Sequence, residues 1–429
     1  MLNKLHIKSE FLKSVVLLTS GTFMAQVVSY LATPVITRLF TPDEIGELGV
    51  FLRITAFITA IATARYELSL PLPKRDQHAF QLFRLSLRIA TITLLSTLLI
   101  GLIYWGIQGF SATNFWIVLM IVVGSFFMIF KNIGTNWAIR MNNYKAISAS
   151  SILTSFTANG LKIVAGLLAF GSLGLIIATV IGGGAAIFFF VKDYLNTKYI
   201  DGFQRSKKKI QILSKRHRDF PIYNLPHMLL DHGRELLIAF FVVWYFDQSV
   251  FGSYDHSFRM LKLPLALIGT AMGQVFFNRC SRMYSEHKAL FPMLKRTTLQ
   301  LFLISIIPFS IVFFFGEDLF LWVFGAEWGL SGRISELLAP WLMINFVASP
   351  ISTIPMVVEK QKAFLWVGGI GSIVQVSAFG FLPLIHEKGW ISFDEIFIWI
   401  SVIMVVFTLA MIAFKLWITK RADEGNVVS

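Results

Sequence analysis

Long uncharged apolar segments alternate with short polar segments along most of the chain. The clearest cover residues 89–107, 110–130 and 396–414. A helix of roughly 20 residues crosses a bilayer core about 30 Å thick, because each residue advances the helix by about 1.5 Å. The pattern therefore predicts an all-α polytopic membrane protein with about twelve transmembrane helices, at residues 12–38, 44–68, 82–107, 113–136, 145–168, 172–192, 224–245, 249–276, 298–316, 334–358, 364–385 and 393–416.

Composition agrees with this fold class and argues against several kinds of site. Apolar residues make up 55% of the chain and charged residues 14%, whereas about a quarter of a soluble domain is charged. The single cysteine, Cys280, excludes an internal disulfide and a cysteine-rich metal site. The sequence contains no phosphate-binding loop and no zinc-protease motif. We therefore expect no catalytic residue, no metal, no cofactor and no enzymatic activity.

The basic residues predict the orientation in the membrane. The net charge of +14 is compatible with nucleic-acid binding as well as with a membrane protein. Only Arg38, Arg333 and Lys388 fall in the predicted outer loops, and most of the 38 Lys and Arg residues fall in the alternate loops. Because basic loops face the cytoplasm, both termini are expected there. This distribution predicts membrane lipids, and no nucleic acid, as partners.

An internal repeat divides the chain into two halves. The motif Phe-x5-Gly-x6-Arg ends at Arg53 and again, 206 residues later, at Arg259. An even number of helices in each half predicts parallel repeats, related by a pseudo-two-fold axis along the membrane normal, with a site at their interface. We expect a six-helix lobe at 1–193, a basic cytoplasmic linker at 194–223 and a second six-helix lobe at 224–429. The linker fits a lipid-headgroup or partner-binding patch, or a simple positive-inside anchor.

Charged residues inside the predicted helices are the candidate binding residues. Inserting such a residue costs roughly 2.5–3.5 kcal/mol, so it rarely lacks a function. One interpretation is a water-filled cavity whose cations bind phosphates or other acidic groups. The alternative is internal ion pairing that fixes helix register, with Asp255–Arg259 as the expected pair, and snorkelling of cations near helix ends. The candidate cavity cations are Arg53, Lys162, Arg234, Arg259 and Lys262.

Carboxylates in the same helices are candidates for ion coupling. They are Asp231 and Glu235, which share a helical face with Arg234, and Asp255, which lies one turn from Arg259. A carboxylate beside a cation stays ionised, so a proton-relay role requires a change in that pairing. Arg65 and Glu67, at the inner end of the second predicted helix, are candidates for a cytoplasmic gate. The alternative is an interfacial ion pair with an aromatic anchor between its members.

Several short motifs, spread over most of the chain, carry a family resemblance. They are Ser20-Gly21-Thr22-Phe23-Met24-Ala25-Gln26, Pro34-x3-Arg38-Leu39-Phe40, Thr41-Pro42-Asp43-Glu44-x-Gly46, Arg65-Tyr66-Glu67-Leu68, Pro71-Leu72-Pro73-Lys74, Tyr223-Asn224-Leu225-Pro226 and Leu263-Pro264-Leu265-x-Leu267-Ile268-Gly269-x3-Gly273-Gln274-Val275-Phe276. With these motifs the chain resembles the Wzx-like polysaccharide-repeat-unit flippases of O-antigen type, a branch of the multidrug/oligosaccharidyl-lipid/polysaccharide exporter superfamily.

The resemblance implies a function for the intramembrane charges. Members of this family have two six-helix lobes around a cavity that opens alternately to each side. Their cargo is an undecaprenyl-diphosphate-linked oligosaccharide, flipped from the inner to the outer leaflet of the bacterial inner membrane during polysaccharide or lipopolysaccharide biosynthesis. A polysaccharide polymerase and a chain-length regulator are the further partners implied. The alternatives are a cation-coupled drug exporter of the same superfamily, an enzyme of polysaccharide assembly, or a non-transporting scaffold.

Overall fold

The computed structural model describes residues 2–195 and 207–428, and in that part of the chain it contains helices and turns but no strand. The chain divides into two compact units, Met1–Leu236 and Leu237–Ser429. The helices of the first unit are α1 (Leu2–Thr37), α2 (Pro42–Ile61), α3 (Asp76–Ile107), α4 (Ala112–Arg140), α5 (Tyr144–Leu167), α6 (Gly171–Ala185), α7 (Ile187–Leu195), α8 (Lys207–Arg216) and most of α9 (Leu225–Tyr245).

The second unit contains the remaining helices. They are α10 (Gln248–Ser285), α11 (Phe291–Phe324), α12 (Gly329–Ala348), α13 (Ile354–Val357), α14 (Gln361–Glu387) and α15 (Phe393–Val428). The boundary between the units falls inside α9. Residues 196–206 of the expected linker lie outside the described residues, and the two lobes and their boundaries stay a prediction.

Side-chain caps fix where several helices begin. Thr41 and Glu44 form a capping box at the start of α2, in which each side chain bonds the backbone N–H of the other. Asn143 accepts a hydrogen bond of 3.2 Å from the N–H of Ala146 at the start of α5. Asp247 accepts one of 2.8 Å from the N–H of Val250 at the start of α10. Such caps satisfy N–H groups that have no partner within the helix.

Small residues allow close helix packing in both units. In the first unit α5 packs between α1 and α6, and a Cβ atom at Gly182 of α6 would lie 2.6 Å from that of Ala158. In the second unit α12 packs against α10, α11 and α15, and a Cβ atom at Gly332 would lie 2.5 Å from the Cα atom of Glu317. Small residues at helix contacts bring backbones together in membrane proteins.

Six described helices are long and apolar enough to cross a membrane. They are Asp76–Ile107, Ala112–Arg140, Gly171–Val191, Phe291–Phe324, Trp366–Glu387 and Phe393–Glu424. A seventh span is obtained if the segments Ala326–Ala348 and Pro350–Val357, bent by 44°, are counted together. The protein is therefore a multi-pass, all-helical membrane protein, as expected. The count of twelve stays a prediction.

Two predicted helix boundaries were wrong. The second helix was expected to reach residue 68, but α2 ends at Ile61 and the chain then turns through Ala64 and Arg65, both with positive φ. The helix expected at 334–358 is not continuous. It breaks after Ala348, where Pro350 begins a short 3₁₀ turn, because proline cannot supply the backbone N–H that continues a helix.

Candidate functional site

The candidate charges lie on four helices that are not among the six clear spans. Arg53 is on α2, Lys162 on α5, Asp231, Arg234 and Glu235 on α9, and Asp255, Arg259 and Lys262 on α10. None of these four helices is among the six described spans. Charged groups in a membrane helix face a protein interior or a water-filled cavity rather than lipid.

Arg53 is half-buried on α2. Its Nη1 atom donates a hydrogen bond of 3.2 Å to the carbonyl oxygen of Gly49, one turn earlier on the same helix. Gly49 itself is buried and carries no side chain that could compete for the guanidinium. The acceptor in this hydrogen bond is a neutral carbonyl, so this contact does not compensate the positive charge of Arg53.

The charged residues of α9 form a partly exposed row. Asp231 lies between two basic groups, with its Oδ2 atom 3.4 Å from Nδ1 of His227 and its Oδ1 atom 3.8 Å from Nη2 of Arg234. The side chain of Arg234 is 25% exposed and that of Asp231 is 42% exposed. Glu235 is half-buried. The contact of His227 was missed from the sequence, although its spacing of four residues from Asp231 is the one that brings helical side chains together.

Arg259 and Asp255 form an ion pair on α10, through Nη2 and Oδ2. The acid is the buried member: its side chain is 6% exposed, against 41% for Arg259. This is the arrangement that the ion-pairing alternative predicted for this pair. The pair compensates the charge of Arg259 locally, so Arg259 is less available to a bound anion than a cation without a carboxylate beside it.

Lys262 and Lys162 are both half-buried. The Nζ atom of Lys262 lies 4.1 Å from the centre of the Phe258 ring, one turn earlier on α10. A cation over an aromatic face is stabilised by about 0.5–2 kcal/mol, according to its desolvation. This contact stabilises the ammonium group of Lys262 and does not by itself neutralise its charge.

Arg65 and Glu67 form the ion pair expected at the end of the second helix. Nη1 of Arg65 lies 3.1 Å from Oε1 of Glu67, and the other carboxylate oxygen accepts a hydrogen bond from Thr63. Glu67 is only 2% exposed. The Tyr66 hydroxyl donates a hydrogen bond of 3.2 Å to the carbonyl oxygen of Ser214 in α8. The turn is thus held by contacts among its own residues and by a hydrogen bond to α8. Its role as a gate stays a prediction.

Two buried residues of the second unit were not singled out from the sequence. Lys415, at the inner edge of the last predicted helix, is 3% exposed, and its Nζ atom donates a hydrogen bond of 3.1 Å to the carbonyl oxygen of Ala348, where α12 breaks. His256 is 2% exposed and its ring lies among Phe324, Trp328 and Phe320. Its Nε2 atom has no hydrogen-bond partner among the described residues.

The candidate residues therefore belong to two separate groups. Arg53, Lys162, Asp231, Arg234 and Glu235 are in the first unit, and Asp255, Arg259 and Lys262 are in the second. Within the groups, the structure joins Asp231 with Arg234 and Asp255 with Arg259. Among the described residues no three His, Cys, Asp or Glu side chains are grouped so that they could hold a metal ion.

Comparison with protein families gives one match. The model of a family described as "polysaccharide biosynthesis protein" matches residues 35–331, which is more than half of the chain. No curated protein matches the sequence. The family match confirms the resemblance stated from the motifs at the level of the family.

The fold is similar to that of solved transporters. A multidrug-resistance MATE family transporter of the MOP superfamily, in an inward-facing conformation, matches with a TM-score of 0.71 and 13% identity over 95% of this chain and 99% of that chain. The lipid II flippase MurJ, in an inward closed conformation, matches with a TM-score of 0.72 and 12% identity over 96% and 92%. A MOP superfamily transporter from Pyrococcus furiosus matches with a TM-score of 0.57 and 13% identity over 96% of each chain. These proteins are transporters and a flippase rather than enzymes.

Proposed function

The chain belongs to the polysaccharide biosynthesis protein family, and from this premise we propose that it flips undecaprenyl-diphosphate-linked oligosaccharide repeat units from the inner to the outer leaflet of the bacterial inner membrane. The observation that carries the proposal is the set of partly exposed cations on α2, α5, α9 and α10, above all Arg53, Arg234 and Lys262. A diphosphate needs positive charge within the membrane, where the bilayer itself supplies none.

The proposed architecture is the twelve-helix, two-lobe arrangement expected from the sequence. The lobes would cover 1–193 and 224–429, with the linker at 194–223 and both termini in the cytoplasm. Transport would proceed by alternating access, in which the lobes expose a cavity first to one side and then to the other. The turn at Arg65 and Glu67 would act as the cytoplasmic gate, and its opening would require the buried carboxylate of Glu67 to change its partners.

The cations are proposed to hold the diphosphate or acidic sugars. Arg53 and Arg234 would serve in the first lobe and Lys262 in the second, with Lys162 and Arg259 as weaker contributors. Arg259 is weaker because Asp255 compensates its charge. Asp231, Glu235 and Asp255 are proposed as the groups whose pairing changes if transport is coupled to an ion. The O-antigen type of cargo, the polymerase and the chain-length regulator remain parts of this proposal.

The direct test is flipping of a fluorescent polyprenyl-diphosphate oligosaccharide by the purified protein in liposomes. We expect the fraction of label accessible from outside to change faster than in protein-free liposomes, and an Arg53→Gln variant to lose this activity. A Lys388→Gln variant, changed at an exposed residue outside the candidate set, is the matched control. Liposomes in which the wild-type protein moves no labelled lipid would contradict the proposal and favour a scaffold.

A drug exporter is the second candidate, supported by the likeness of the fold to a MATE family transporter. The two candidates differ in the charge that their cavity requires. A cavity for cationic drugs needs acids, whereas the candidate residues here contain more cations than acids. Export of a cationic dye by the same liposomes, with no flipping of the labelled lipid, would select this candidate.

A further inference from the structure

The basic helix α8 is fixed on the first unit by its apolar residues. Ile210 is 7% exposed and Leu213 is 6% exposed. Leu213 belongs to a buried cluster with Ala79, Phe80 and Phe83 of α3, together with other residues near the end of α2. Ser214 also accepts the hydrogen bond of Tyr66. Helix α8 therefore lies against the first two turns of α3 and against the turn that carries Arg65 and Glu67.

This position places α8 just outside the layer of lipid headgroups. The residues of α3 that it contacts precede Arg84 and Arg88, and the uncharged apolar run of α3 begins only at residue 89. At about 1.5 Å per residue, the contact at Ala79–Phe83 lies roughly 9–15 Å outside the start of that run. The headgroup region extends roughly 5–8 Å beyond the hydrocarbon on each side. The long side chains of the basic residues of α8 would reach from the helix back to the headgroup region.

The face of α8 opposite its contact with α3 carries two lysines and one apolar residue. Lys208, Ile212 and Lys215 follow one another at spacings of four and three residues, so they share a helical face. Lys208 and Lys215 are exposed, as is Ile212 at 58%. Exposed basic residues also flank this face at Lys209 and Arg216. No residue of α8 is acidic.

We propose that this outward face of α8 binds the anionic phospholipid headgroups of the adjacent membrane surface, with Ile212 entering the interface between the two lysines. Charge complementarity favours anionic lipid because several cations point from one helix with no acid among them. The single exposed isoleucine favours a lipid surface, where an apolar side chain can leave water.

The binding would have a structural consequence for the rest of the unit. The same helix holds the Tyr66 hydroxyl and buries Leu213. Docking of α8 on the membrane would therefore stabilise the turn between α2 and α3 in its observed conformation. The proposal does not rest on the transported substrate, so it would survive the failure of the flippase proposal.

The test uses the full-length protein with Ile212→Cys labelled by an environment-sensitive fluorophore. The native Cys280 is 1% exposed and gives a low background. In phosphatidylcholine vesicles with an increasing fraction of phosphatidylglycerol, we expect a blue shift that saturates and that reverses at 1 M salt. Lys208→Gln and Lys215→Gln should each lower the ratio of docked to undocked helix by roughly fivefold. Hydrogen exchange of α8 amides in the unlabelled protein should slow with the same lipid.

A double variant, Lys295→Gln with Arg296→Gln, is the control, because both residues are exposed and lie in the other unit. It should leave the fluorescence change intact. A signal and an exchange rate that do not depend on phosphatidylglycerol would overturn the proposal. An equal response to inorganic diphosphate in vesicles of phosphatidylcholine alone would show a free-phosphate site instead, and would also overturn it.

Discussion

Gly49 and Asp255 occupy equivalent positions in the two halves, 206 residues apart, and each is the hydrogen-bond acceptor for the arginine one turn later. Arg53 bonds the backbone carbonyl of Gly49, whereas Arg259 bonds the carboxylate of Asp255. The helices that carry them begin at equivalent caps, Thr41 and Asp247. The repeat thus preserves the depth of the arginine along its helix but changes the chemical nature of the acceptor one turn earlier, from a neutral carbonyl to a carboxylate. The two arginines are expected to differ in function for this reason.

Arg53→Gln is expected to reduce lipid flipping more strongly than Arg259→Gln. A hydrogen bond to a charged group contributes about 1.5–3 kcal/mol, so loss of Arg53 should lower the rate about ten- to hundredfold if it contacts the diphosphate. The measurement is the initial rate of flipping in liposomes at matched protein content. Equal rates for Arg53→Gln and the Lys388→Gln control would remove Arg53 from the site.

Arg259→Gln is expected to act mainly on stability. It leaves the buried carboxylate of Asp255 without its partner, although the effect should be smaller than the about 3–5 kcal/mol of a fully buried pair, because Arg259 is partly exposed. Adding Asp255→Asn to the same chain should recover most of the loss. Thermal unfolding of the four proteins of this cycle in detergent measures the coupling. Additive effects of the two substitutions would mean that the ion pair contributes no stability.

The single cysteine allows the proposed topology to be tested. Cys280 is 1% exposed and should react slowly with maleimides. Lys388→Cys, Lys74→Cys and Lys295→Cys each introduce a thiol at an exposed position. A membrane-impermeant maleimide added to intact cells should label residue 388 and neither of the others, because the basic loops are expected in the cytoplasm. Labelling of all three from outside would contradict the twelve-helix topology.

His217, which follows α8, predicts a pH dependence for the attachment of this helix. Burial, followed by the neighbouring charge of Arg216, lowers the pKa of His217 from its ordinary value. The folded state therefore favours the neutral ring, so its contribution to stability is present above about pH 6.5 and is lost as the pH falls through the lowered pKa. Relative to the intrinsic amide exchange rate at each pH, hydrogen exchange of residues 208–216 should accelerate below about pH 6.5. In His217→Gln this acceleration should be absent, and its persistence there would assign the pH dependence to another group.

The class of the protein and its candidate charges could be predicted from the order of its residues alone. Apolar runs of membrane-spanning length, the paucity of charge and the family motifs depend on composition and order alone. The Phe-x5-Gly-x6-Arg repeat marked Arg53 and Arg259, and helical spacing predicted that Asp255 pairs with Arg259. These inferences succeed because contacts within one helix follow directly from its 3.6-residue period.

Contacts between helices could not be predicted in this way and are known only from the three-dimensional structure. The sequence did not indicate that α8 packs on α3 through Leu213, that Tyr66 bonds Ser214, or that Lys415 is buried against Ala348. Each of these contacts joins residues far apart in the chain, and composition carries no information about which distant partner a side chain meets. The apolar pattern also predicted two helices that are longer than those in the structure: α2 ends early, and the chain bends between α12 and Pro350. The positions of the helices can thus be predicted from the local order of residues, whereas the contacts between helices depend on tertiary packing.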